Sequence, residues 1–173
     1  VYQPESVWSE PAKAVLDFGG GCGLHYKSVK SFDVRWAVVE TPAMVRRAKE
    51  FETSQLKFFD NIPDAACWLG PVDVMHSDGA LQYTPHPEDT LRELVSLKSK
   101  IMVWKRTNFS ENKVVEFQTS HLIDNGPGIA TTKNKLVKYP VTRMPENVFL
   151  AAHGGYQLTT RAKSSFRFVR ECA

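Results

Sequence analysis

The chain has 173 residues, 42% hydrophobic and 24% charged, with a net charge of +3. That is enough chain to bury a substantial core, and the charge is too mild to argue for a nucleic acid or an anionic membrane as partner. Three widely spaced cysteines, Cys22, Cys67 and Cys172, make neither a disulfide framework nor a C-x-x-C metal pair, and no apolar run reaches the ~18 residues of a membrane span.

Short apolar runs alternate with helical patterns, which predicts a largely parallel sheet covered by helices. The first strand, Ala14 to Phe18, runs into Gly19-Gly20-Gly21-Cys22-Gly23 and a short helix over Leu24 to Lys30. Arg35 to Val39 is the second strand and ends on Glu40. Thr41 as N-cap and Pro42 in the first turn open the next helix. Val45, Ala48 and Phe51/Glu52 mark its faces, and Arg46, Arg47, Lys49 and Glu50 form its solvated side. A third strand spans Leu56 to Phe59 and stops at Asp60, with a helix over Pro63 to Leu69. The fourth strand is expected over Val72 to His76, with Ser77 to Tyr83 as a loop. Pro87-Glu88-Asp89 starts a helix whose first-turn acids complement the helix dipole. Leu91, Leu94, Val95 and Leu97 are its apolar stripe, and Lys98 and Lys100 close it. Ile101 to Trp104 is the fifth strand. Beyond it the pattern weakens: a strand over Val114 to Phe117, then a loop at Asn125-Gly126-Pro127-Gly128. A helix over Pro145 to His153, ended by Gly154-Gly155, precedes strands at Tyr156 to Thr160 and Ser165 to Val169. No repeat, low-complexity tract or linker divides the chain, so one domain over 1–173 is expected.

The chemistry concentrates in Asp17-Phe18-Gly19-Gly20-Gly21-Cys22-Gly23. Glycine there lets the backbone turn tightly against a bulky ligand, and the following helix start offers unpaired N–H groups. A nucleotide-type site at the carboxyl edge of a parallel sheet has this form. A dinucleotide G-x-G-x-x-G counted from Gly19 would need glycine where Leu24 stands. The glycines fall instead at Gly19, Gly21 and Gly23, with an acid two residues ahead of the first. Glu40 can accept both hydroxyl protons of a ribose, and its spacing suits a dinucleotide equally.

This run resembles the first motif, Asp/Glu-x-Gly-x-Gly-x-Gly, of the class I S-adenosylmethionine-dependent methyltransferases. The resemblance implies that Asp17 holds the cofactor's methionine ammonium, that Phe18, Gly19, Gly20, Gly21 and Gly23 cradle it, and that Glu40, with Thr41 beside it, meets the ribose. Asp60 matches the position that contacts the adenine amino group, with capping of the next helix as its other reading. Val72 to Tyr83 resembles the family's fourth-strand motif, which puts His76 and Ser77 where the sheet opens to cofactor and substrate. Gly155-Tyr156-Gln157-Leu158 resembles its sixth strand. The likeness covers residues 14–105 well and 145–170 loosely, and in overall wording is closest to uncharacterised bacterial methyltransferases, some associated with surface-polysaccharide synthesis. It implies S-adenosyl-L-methionine as cofactor and an α/β, Rossmann-like doubly wound sheet: seven strands in order 3-2-1-4-5-7-6, the last antiparallel.

Methyl transfer from a sulfonium is an in-line displacement in which the protein supplies orientation and excludes water. A hydroxyl or ammonium acceptor also needs a general base, for which His76, Asp78 and His121 are the candidates by location, in that order. His76 and Ser77 serve equally as plain pocket wall, and His76-Ser77-Asp78 lacks a third metal ligand at usable spacing, so no metal is expected. His25, His86 and His153 are read as surface or capping residues, and Cys22 as a small loop residue. Lys133, Lys135, Lys138 and Arg143 suit a solvated loop, with attraction of an acidic or phosphorylated substrate as the other reading. The Asn/Asp-Pro-Pro-aromatic signature of some nucleic-acid and protein N-methylators is missing. The expectation is therefore a cytoplasmic enzyme methylating a small-molecule or saccharide acceptor at oxygen, with no nucleic-acid or membrane partner. Its competitors are an NAD-dependent oxidoreductase, against which the glycine spacing counts, and a non-catalytic cofactor-binding domain. A further reading is a fragment whose missing N-terminal segment completes the substrate pocket, residues 1–11 with Trp8 as anchor then being the end of a lid or helix.

Overall fold

A computed structural model describes residues 12–29, 33–121 and 135–171. The features noted at Trp8, Lys30, residues 125–128, Lys133 and Cys172 lie outside the described residues. Five short apolar runs form parallel strands: β1 (Ala14–Phe18), β2 (Arg35–Val39), β3 (Leu56–Phe59), β4 (Val74–Asp78) and β5 (Ile101–Lys105). In β1, β2 and β5 near-continuous hydrophobicity reflects burial on both faces, since alternate side chains enter opposite cores. By contrast, β3 buries Leu56 and Phe58 and leaves Lys57 and Phe59 half-buried, and β4 ends on buried polar residues. Leu16, Ala37, Met75 and Trp104 face one core, and Val15, Trp36, Val38 and Val74 the other. The helices are α1 (Leu24–Ser28), α2 (Pro42–Ala48), α3 (Ile62–Leu69), α4 (Pro87–Ser96) and α5 (Glu146–Ala152). Ile62, Ala65 and Leu69 of α3, Leu91 and Leu94 of α4 and Phe149 of α5 pack into the first core.

Two strands expected near the end are β8 (Tyr156–Ala162) and β9 (Ser165–Arg170), an antiparallel pair in which β9 inserts beside β5. The sheet order is β3-β2-β1-β4-β5-β9-β8, with β9 antiparallel to both neighbours. It differs in numbering from the expected 3-2-1-4-5-7-6 because residues 114–143 supply two additional strands. These are β6 (Val114–His121) and β7 (Leu136–Arg143), paired as a separate two-stranded sheet. The sequence gives half of β6 and none of β7. Most residues of both strands are exposed or only half-buried, so no core-facing apolar alternation marks them. Pro140 within β7 also argues against a strand, and is tolerated because each strand of a two-stranded sheet is an edge.

The fourth strand starts two residues later than expected and continues through Ser77 and Asp78. Asp73 does not join the strand; its carboxylate accepts from the backbone N–H groups of Lys13 and Ala14 at 2.8 and 3.1 Å. At the other end Asp78 remains in register with Lys105. His153 is a core residue rather than a surface or capping one, only 3% exposed. Its ring stacks on Phe168 at 3.8 Å, its Nδ1–H donates to the Phe149 carbonyl at 2.8 Å, and its Nε2 accepts from Trp104 Nε1 at 2.9 Å. Burial pushes the imidazole down to about 4, against the opposing pull of the Phe149 bond.

Candidate active site

The carboxyl ends of β1, β2 and β4 open onto a cavity of about 980 Å³. The strand order reverses between β1 and β4, and ligands of open α/β sheets bind in the crevice at such a switch point. One wall is made by Phe18 and Gly19 after β1, Val39 and Glu40 at the end of β2, Thr41 and Pro42 opening α2, and Asp60 after β3. The opposite wall has Asp78, Gln82, Tyr83, Arg106, Asn108, Gln118 and Tyr139.

Gly19 is the tightest point of the loop. Its φ is +76°, and a Cβ there would lie 2.1 Å from the Ala80 Cβ, so the methyl of Ala80 in the β4 loop packs on the bare backbone of Gly19. Two residues on, the Gly21 N–H donates to Glu40 Oε1 at 3.1 Å, while Glu40 Oε2 accepts from Thr41 N–H at 2.9 Å. Glu40 thus ties the glycine loop to the start of α2. Thr41 caps that helix, its Oγ1 accepting from Met44 N–H at 3.4 Å. Asp60 is exposed on the cavity rim, and the cap of α3 is Asn61, whose Oδ1 accepts from Asp64 N–H at 2.8 Å. The capping alternative for Asp60 is therefore overturned.

Asp17 lies beneath the loop and is fully buried. Its Oδ2 accepts from His25 Nδ1 at 2.8 Å and Trp36 Nε1 at 3.2 Å, and its Oδ1 from His76 Nδ1 at 2.9 Å. Burial alone would raise its pKa, but the hydrogen bonds and charges of the two histidines hold the carboxyl well below the usual range. The pull on His25 is reciprocal: burial lowers its pKa, yet the bond and charge of Asp17 leave it raised. An ionised carboxylate only accepts, so both Nδ1 atoms carry hydrogen. His25 and His76 pack edge to face at 4.7 Å. Among the described residues these three form a group of metal-ligating types with donor atoms within 4.8 Å of one another, a third donor that the sequence spacing around His76 does not reveal, and two histidine–aspartate hydrogen bonds tie it together.

The three base candidates therefore separate. Asp78 lines the cavity, with its carboxylate bound by Arg106 Nε at 2.5 Å. His76 is wholly buried against Asp17 and is no part of the cavity wall, and its Nε2 has no partner among the described residues. Ser77 is likewise buried. His121 is exposed at the end of β6, opposite Leu136, and the structure does not bring it to the cavity. Lys138 lies over the Phe117 ring and Arg143 pairs with Glu116, so neither lines the cavity. Sequence reasoning missed His25 as Asp17's partner and missed Arg106, Gln82, Tyr83, Asn108, Gln118 and Tyr139. Strand parity could have found the Asp17–His76 pair, since the two face each other in register. The wall residues carry no local signal because the hairpin brings several of them in.

Compared with known proteins, the sequence matches no protein-family model and no curated protein. Several solved structures share its fold. Streptomyces venezuelae DesVI superposes with a TM-score of 0.65 at 16% identity, covering 97% of this chain and 89% of that one. CalS10, an amino pentose methyltransferase from Micromonospora echinaspora with S-adenosylmethionine bound, gives 0.64 at 14% identity over 97% and 87%. The N-terminal domain of EvdMO1, with S-adenosylhomocysteine and D-fucose, gives 0.60 at 13% identity over 98% and 79%. At these identities the likeness establishes the fold: an α/β, Rossmann-like architecture of the kind methyltransferases use.

Proposed function

We propose that this chain is an S-adenosylmethionine-dependent methyltransferase acting on a small-molecule or saccharide acceptor at oxygen. The observation that carries the reading is the alignment of Phe18 and Gly19, at the start of the glycine loop, with Glu40 and Asp60 along one wall of a cavity at the sheet's switch point. The residues fit the cofactor. A Cβ built on Gly21 would meet nothing within 4 Å, so the loop leaves open space above its backbone. Glu40 offers two carboxylate oxygens to a ribose diol, each with lone pairs beyond those used by Gly21 and Thr41. Asp60 offers an acceptor for an adenine amino group. The solved structures that hold S-adenosylmethionine or S-adenosylhomocysteine support the same cofactor here.

When bound, the cofactor supplies an activated methyl group on a sulfonium. The protein's own part is positioning and proton handling. Asp17 underpins the loop: a Cβ on Gly20 would lie 2.3 Å from its Oδ2. Asp78 is the base candidate that reaches the cavity, and its carboxylate, steadied by Arg106, receives the hydroxyl proton of the acceptor.

Thermal unfolding with S-adenosylmethionine, S-adenosylhomocysteine, NAD or no ligand tests the reading. A ligand at ~100 times its Kd adds about 2.7 kcal/mol, a rise of roughly 5–10 °C for a chain of this size. A rise with the two adenosyl compounds, diminished in Glu40→Ala, is expected; a rise with NAD alone overturns the proposal.

A further inference from the structure

The cavity has a second end, beyond the glycine loop, walled by the turn Leu81–Tyr83 and the β6–β7 hairpin. Gln118 and Tyr139 stand directly opposite each other in the hairpin register, so they share one face, and both line the cavity. Tyr83 joins the turn to that face. Its ring meets Tyr139 edge-on at 5.5 Å, and its hydroxyl donates to Gln118 Oε1 at 3.3 Å. Val115 and Phe117 alternate with these positions and point away, 61% and 66% exposed. Gln118 and Tyr139 thus present an amide and a phenol to the cavity, while Val115 and Phe117 lie on the other face, from which Pro140, opposite Phe117, also reaches the cavity lining.

We propose that this end is the acceptor subsite and that it takes a sugar-sized ring, uncharged or amine-bearing, laid against Tyr83 and Tyr139 and held by Gln118 and Asn108. The proposal rests on the methyltransferase reading above. Aromatic faces are electron-rich and attract the weakly positive C–H face of a pyranose, while amides both donate and accept, as ring hydroxyls require. Charge adds selectivity. Glu40, Asp60 and Asp78 line the cavity, against Arg106 as the one lining guanidinium among the described residues, and Arg106 is already bound to Asp78. The hairpin's cations do not redress this, because Lys138 sits over Phe117 and Arg143 pairs with Glu116 at 2.8 Å. A phosphate or carboxylate on the ring enters a cavity lined mainly by like charge.

Saturation-transfer NMR on the chain saturated with S-adenosylhomocysteine provides the test, using D-fucose, D-glucosamine and D-glucose 6-phosphate as probes. Transfer to the first two is expected, and weaker transfer to the phosphate. Tyr139→Ala and Gln118→Ala should each weaken sugar binding by about tenfold. Their affinity for S-adenosylhomocysteine should stay unchanged by calorimetry, which also shows that the variants fold. Phe117→Ser, on the outward face, should alter neither. Equal transfer to the phosphate, sugar binding that survives both variants, or no sugar signal from a chain that binds S-adenosylhomocysteine overturns the subsite. Failure of the wild type to bind S-adenosylhomocysteine overturns the methyltransferase reading on which it stands.

Discussion

Asp17 keeps its negative charge at full burial because His25, His76 and Trp36 converge on it. Asp17→Ala takes away their shared acceptor and should cost about 3–5 kcal/mol in denaturant unfolding, as loss of one partner from a buried ion pair does. A cost within experimental error would show that the cluster does not support the loop. Two histidines, His25 in this cluster and His153 in the core, set opposite pH slopes. His25 has a raised folded pKa, so its contribution is complete below its ordinary 6.5 and is lost as pH rises through the higher folded value. His153 runs the other way. Between pH 6.5 and about 4 the unfolded chain takes up a proton that the folded chain resists, so stability falls with pH across that window. The full effect is about 3 kcal/mol. Stability measured against pH should lose this acid slope in His153→Phe and the alkaline one in His25→Gln; slopes that persist in both variants contradict the assignments.

At the level of elements, the glycine loop works because Gly19 has no side chain. Gly19→Ala combines a left-handed backbone with a collision against Ala80 and should destabilise the chain by about 2–5 kcal/mol in the same unfolding assay. A neutral result would mean that the β1 and β4 loops are not in contact. The elements legible in the sequence are those whose physics is local. β1, β2 and β5 are apolar runs buried on both faces, β3 alternates the buried Leu56 and Phe58 with half-buried neighbours, and α2 declares itself through Thr41 and Pro42. The Glu40 and Asp60 positions follow from the strand ends and are legible for the same reason. The hairpin is not, because both its faces are largely solvated and its role comes from what it reaches over. The end of β4 is not legible in the sequence because His76, Ser77 and Asp78 are polar, although the sheet buries all three. No composition rule anticipates that Asp17 takes His76 and Arg106 takes Asp78 at such a polar strand end.

Across the whole molecule, the sheet separates two tasks. Its β1–β3 side presents the loop, Glu40 and Asp60, while the β4–β5 side, with the hairpin, presents Asp78, Arg106 and the tyrosines. No described helix is long and apolar enough to cross a membrane. Methyl transfer by this chain requires the first side to receive the cofactor. The most direct measurement is a titration of ¹⁵N-labelled chain with S-adenosylhomocysteine, followed by amide chemical shifts. Saturable shifts concentrated at Gly19, Gly21, Glu40, Thr41 and Asp60 are expected, with residues of α5 and β8 unmoved. Shifts confined to the hairpin or to the far side of the sheet, or no shifts at all, would contradict cofactor binding there.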